Sequence, residues 1–173
     1  MGESMDEIER LKEENEQLRK QRDEYKNGYS KFIKVFRKQT KYFYEYQRLS
    51  EKSKEALSGI FRQDSFENFL ACGVQPDNID ALWEFTKNEA MQNNIEDVNI
   101  LNAIISYFVR LYNDTNETPV LELQQVNEGD MFDVDMHIRT PESKTAGNIQ
   151  QVILVGLTNA YTGAVIKKAV VIV

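Results

Sequence analysis

The chain has 173 residues, of which 41% are hydrophobic and 28% charged, with a formal net charge of −7, three Pro, one Cys and one His. His137 and Cys72 alone cannot build a His/Cys zinc site, a CxxC redox couple or an intramolecular disulfide, so no metal or cofactor is expected. The opening residues lack the basic and apolar regions of a leader and no 18-residue apolar run is present, so the expectation is a soluble, cytoplasmic protein that does not span a membrane.

Charge is uneven along the chain. Residues 1–60 carry 14 Lys+Arg against 12 Asp+Glu, whereas residues 61–173 carry 7 against 16. An acidic body argues against nucleic acid as a partner, because phosphate affinity rests on positive charge.

The first sixty residues contain no Pro. With Ile8 as heptad position a, residues Ile8, Asn15, Tyr29 and Phe36 fall at a, and Leu11, Leu18, Tyr25 and Phe32 at d. A sustained 3.5-residue apolar period predicts a coiled-coil stalk over 1–60, about 80 Å long at 1.5 Å per residue from Ile8 to Ile60. Asn15 at an a position favours one register and two strands. A seam of that length cannot be buried by one small chain, so a homodimer is expected.

Gly59 and the polar run 62–65 suggest the first break. Phe66, Phe69 and Leu70 then predict a short helix ending near Cys72 and Gly73. Pro76 and Asp77 open another, with Asp77 as a candidate N-cap. A third follows from about Glu96, where Val98, Leu101, Ile105 and Phe108 repeat at spacings of three and four. Two such hairpins from two copies would form a four-helix bundle over 61–115, with those four residues at the dimer interface. The breaker-rich run 113–119 predicts a domain boundary. After it the period becomes that of strands, at 120–126, 131–138, 149–157 and 165–173, predicting a small all-β domain over 118–173. The fold class is therefore α+β: a long N-terminal coiled-coil helix, a short helical bundle and a C-terminal β domain.

No constellation supports catalysis. The Gly residues form no phosphate loop, and His137 has no marked nucleophile, so it reads as structural. Asp130, Asp133 and Asp135 lack the closing Glu of a calcium loop and read as turn-capping. Lys26, Lys31, Lys34, Arg37, Lys38 and Lys41 interleave with aromatics. That pattern fits a solvated cationic face, a docking face for an acidic protein centred on Arg37 and Lys38, or a grip on single-stranded nucleic acid.

From 126 onward the chain resembles the GrpE family, the nucleotide exchange factors of DnaK-type heat-shock chaperones. The resemblance lies in Gly129, Phe132, Asp133 and His137, spaced as Gly-x-x-Phe-Asp-x-x-x-His, in Ile149 to Gly156, and in Gly163 to Val173 with Ala169. The chain departs from the family at Val134, Ile138, Leu157 and Lys168, which suggests a specialised chaperone partner. The resemblance implies a parallel helical dimer whose β domains wedge against the nucleotide-binding domain of the chaperone and expel ADP, in the service of protein folding under stress. It places partner contacts at Ile153 and Val173, which by their residue type alone fit β-domain core equally well. The rival reading is a dimeric coiled-coil adaptor whose β domain binds another partner, without exchange activity.

Overall fold

The computed structural model describes residues 2–173, and the side chains of residues 2–6, Val35, Lys38 and Gln39 lie outside that description. The fold is α+β, with helices α1 Gly2–Gln47, α2 Glu51–Ala56, a 3-10 turn Leu57–Gly59, α3 Phe66–Gly73, α4 Pro76–Met91 and α5 Ile95–Asp114. Six short strands follow: β1 Leu121–Leu123, β2 His137–Arg139, β3 Gln151–Leu154, β4 Leu157–Asn159, β5 Val165–Lys167 and β6 Ala169–Ile172. No helix among the described residues is long and apolar enough to cross a membrane.

The chain divides into two compact units, an arm ending at Lys41 and a body spanning Tyr42–Val173. The arm is the N-terminal part of the 46-residue α1. It is rich in Glu, Lys and Arg, which lose little side-chain freedom in a helix. Glu16 and Lys20 pair one turn apart at 3.1 Å. The expected stalk boundary at residue 60 falls instead at Lys41, because Tyr46, Leu49 and Leu57 are buried in the core of the body. The last turns of α1 are anchored by aromatic packing: Tyr42 stacks on Tyr107 at 4.3 Å, and Phe43 meets Phe69 at 5.6 Å.

Within the body, caps set the helix starts. Ser50 caps α2 by accepting from the Ser53 N–H, and Ser65 caps α3 by accepting from the Asn68 N–H. Gln75, not Asp77, occupies the N-cap of α4, because Pro76 is placed at the first helical position where its missing N–H costs nothing. Val98, Leu101, Ile105 and Phe108 are fully enclosed by their own chain rather than lying at a dimer interface. The physical reason is that α4 covers one side of α5 while β1 and β3 pack on α5 as well, so no second copy is needed to bury that stripe.

The expected separation of a bundle over 61–115 from a β domain over 118–173 is corrected for the same reason. Ile153, Leu154, Leu157 and Val170 share one hydrophobic core with the helices. Two polar side chains lock the layers: the Trp83 indole donates to the Val155 carbonyl at 2.8 Å, and Asn102 Oδ1 accepts from the Val155 N–H at 3.1 Å.

The strands form two three-stranded sheets, ordered β1-β4-β5 and β2-β6-β3. All pairs are antiparallel except β2 with β6. Two predicted strands are each divided between the sheets. The run 149–157 turns at Val155 and Gly156, and the run 165–173 turns at Lys168, so β5 and β6 belong to different sheets. In the predicted strand 131–138, only the end enters β2; the rest forms turns and a single bridge between Met131 and Asn148.

At the start of α5 the buried Asp97 carboxylate gathers the junction between α1 and α2. It accepts from the Ser50 N–H at 3.1 Å, the Ser50 hydroxyl at 2.5 Å, the Ser53 hydroxyl at 2.7 Å and the Asn94 amide at 3.1 Å. Burial pushes this carboxyl up, and the hydrogen bonds from Ser50, Ser53 and Asn94 outweigh it, so its pKa lies below the ordinary value. A depressed folded-state pKa contributes stability above the unfolded value of about 3.9, lost as pH falls through the folded value. Asp97→Asn is therefore expected to destabilise the body by about 2 kcal/mol at neutral pH. The loss should shrink towards acid in paired denaturation curves; a loss equal at pH 7 and pH 3 would assign it to packing alone.

Candidate partner-binding site

The residues behind the GrpE resemblance lie in turns of the β layers and at the corner between the two sheets. Gly129 has φ +94° and Gly163 has φ +68°, backbone that L side chains rarely adopt. Between them the Asp133 N–H donates to His137 Nδ1 at 3.2 Å, and the His137 N–H donates back to the Asp133 carbonyl at 2.8 Å. That closes a turn around a nearly buried imidazole. Asp133 Oδ1 also accepts from the Asp135 N–H at 2.8 Å, and Asp130 Oδ2 from the Asn127 N–H at 2.8 Å. Asp130 and Asp133 thus serve as turn caps, while Asp135 is exposed. Among the described residues no group of three or more His, Cys, Asp or Glu is placed to hold a metal.

Phe132 is half-buried against a second small core of Ile149, Ala169, Val171 and Val173. The amide of Gln124 bridges the layers: its Nε2 donates to the Met136 carbonyl at 3.0 Å and its Oε1 accepts from the Ala169 N–H at 2.8 Å. Gly156 lies directly against that amide. Gln124 is a residue that the sequence reading missed, and its only sequence signal is a polar side chain inside an apolar alternating run.

Ile153 and Val173, the contact positions implied by the resemblance, are enclosed: Ile153 is 4% exposed and Val173 3%. This corrects their assignment as a partner surface, since Ile153 packs in the main core and Val173 in the second one. Ile153 does help to form the wall of a crevice of about 310 Å³ between the turn after α4 and the Thr140–Glu142 segment.

The exposed apolar surface of the β layers lies elsewhere. Met131 is 77% exposed and Val134 68%. Val134 lines a shallow groove of about 570 Å³ with Phe132, Ile138, Arg139, Pro141 and Lys168. This groove includes β2, an edge strand of its sheet. Among the described residues its two cations make hydrogen bonds to backbone carbonyls only, Lys168 to Val134 at 2.9 Å and Arg139 to Ser143 at 3.3 Å. The neighbouring Lys167 faces the opposite way and bridges to Asp80 and Glu84 on α4 at 2.7 Å each. Burial opposes its charge, and hydrogen bonds to Asp80 and Glu84 more than compensate, so its pKa is raised; Glu84 is lowered by hydrogen bonds from Lys167 and Lys87. One lysine therefore fastens β5 to the helices, and the next offers a charge to solvent.

On the arm, Ile8, Leu11, Leu18, Tyr25, Phe32 and Phe36 are exposed apolar residues, and Asn15 is exposed among them. Arg37 is exposed as well, whereas the side chain of Lys38 lies outside the described residues. The chain matches no family model, no curated protein and no solved structure.

Proposed function

We propose that the protein is a non-enzymatic, homodimeric co-chaperone of the GrpE type, which binds the nucleotide-binding domain of a DnaK-type ATPase in the cytoplasm and promotes ADP release. The observation that carries this reading is local. Gly129, Asp133, His137, Gly156 and Ala169, all shared with the family motif, each sit in a turn or at the sheet corner. The groove of Phe132, Val134, Arg139 and Lys168 is the docking face of this reading, since it combines exposed apolar area with two cations that make no ion pair among the described residues. The homodimer rests on the exposed apolar stripe of the arm.

Exchange needs no catalytic side chain. A factor that binds the open state of its partner more tightly than the closed one weakens the nucleotide by the same factor, and a coupling of ~3 kcal/mol corresponds to roughly 150-fold. Stopped-flow release of fluorescent ADP from the DnaK-type ATPases of the source cell should accelerate with this protein. The double variant Val134→Asp with Lys168→Glu should abolish the acceleration without changing the melting curve. The burial of Ile153 and Val173 favours the second reading, a coiled-coil adaptor that binds a partner without exchange. Absence of acceleration with any of those ATPases would make it the better one.

A further inference from the structure

Gly28 is out of place by the ordinary rules of helices. It sits in the interior of α1, where Gly is the poorest helix former after Pro, and a Cβ built on it would meet nothing within 4 Å. No close approach among the described residues requires it. Its neighbours at i−3, i+1 and i+4 are Tyr25, Tyr29 and Phe32, which are 78%, 68% and 60% exposed.

These four residues outline a shallow surface groove, together with Gln21 and Glu24. Spacing of i, i+3, i+4 and i+7 is the outline of the hole that receives one side chain of a facing helix in a coiled coil. We infer that this notch accepts the Tyr29 ring of a second copy, with the two arms parallel and in register. The missing Cβ makes room for an aromatic knob that an ordinary residue at this position would crowd.

Charge selects the direction. In the heptad, Glu7 and Glu14 fall at g, and Lys12, Arg19 and Lys26 at e. Parallel in-register arms place Glu7 opposite Lys12 of the partner subunit and Glu14 opposite Arg19 of the partner subunit. Antiparallel arms place Glu against Glu and cation against cation. Among the described residues, the ion pairs formed within the arm, Glu16 with Lys20 and Arg22 with Asp23, leave Glu7, Lys12, Glu14 and Arg19 for this use. Asn15 at a adds a polar layer that pairs with itself only when the arms are in register.

The inference rests on the homodimer of the proposed function but not on exchange, and sedimentation equilibrium of the full chain reads it without any ATPase. Gly28→Ala supplies a discriminating sign. Ala favours the helix, so the variant should associate more tightly if nothing enters the notch. If the ring enters, the dimer should weaken by about tenfold. In a Tyr29→Ala background the knob is gone, and Gly28→Ala should then strengthen association. Direction is read separately by Asn15→Cys in a Cys72→Ser background, which should oxidise to a covalent dimer. Tighter association of Gly28→Ala, a monomeric protein, or no cross-link from Asn15→Cys would each overturn the inference. ADP release that is absent while these results hold would remove the exchange reading and leave the paired arm intact.

Discussion

Gly156→Ala is expected to destabilise the body by about 4 kcal/mol or more, combining overpacking with the loss of a buried amide's hydrogen bonds. A Cβ at this position would lie 2.0 Å from Gln124 Oε1, 2.5 Å from the Lys167 carbonyl oxygen and 2.7 Å from the Ala169 N. Two of these are backbone atoms of the corner between β5 and β6, so neither can swing aside as a flexible side chain could. Gln124 cannot retreat without leaving the Ala169 N–H and the Met136 carbonyl unpaired in a buried setting. The sole Trp gives the readout, because the Trp83 indole bonds the carbonyl of Val155, the residue before Gly156. The variant should show an altered Trp83 emission and a denaturation midpoint well below that of the parent. An unchanged midpoint would mean that the sheet corner is looser than the Gln124 bridge requires.

Gly73→Ala should cost about 3 kcal/mol, although Ala is the better helix former by about 1 kcal/mol. Gly73 lies in the last turn of α3, where an added Cβ would stand 2.0 Å from Phe108 Cζ and 2.4 Å from both Cε atoms. Phe108 is fully buried, with Phe69 at 4.8 Å and Phe61 at 6.3 Å between ring centroids, so its ring has nowhere to go. Trimming the ring supplies the control. The double variant Gly73→Ala with Phe108→Leu should recover more than half of the loss expected from adding the two single changes, as residues in contact do. Strict additivity in urea denaturation would mean that the two positions do not touch.

Both glycines show where sequence reading stops. Gly73 reads as a helix terminator, which agrees with its place at the end of α3. Only the packing reveals that the position must also be empty for Phe108. Gly156 reads as a motif residue, and its requirement becomes physical once Gln124, Lys167 and Ala169 meet around it. Likewise Ile153 and Val173 are apolar, and apolar strand residues fit a partner contact or a core equally well. Their neighbours in space, not their identity, make them core.

By itself the sequence determined the α+β class, the long N-terminal helix and the position of the strand-bearing segment, because hydrophobic period and Gly/Pro punctuation are local properties of the chain. It also marked the apolar stripe of the arm, since heptad spacing alone places those residues on one face. Only the tertiary structure decided where the arm ends, that α5 is buried by its own sheets, and that two predicted strands turn a corner from one sheet into the other. Those outcomes depend on contacts between residues far apart in sequence, such as Trp83 with Val155 and Gln124 with Ala169. A periodic pattern says which face of an element will be covered; what covers it is settled by the rest of the chain.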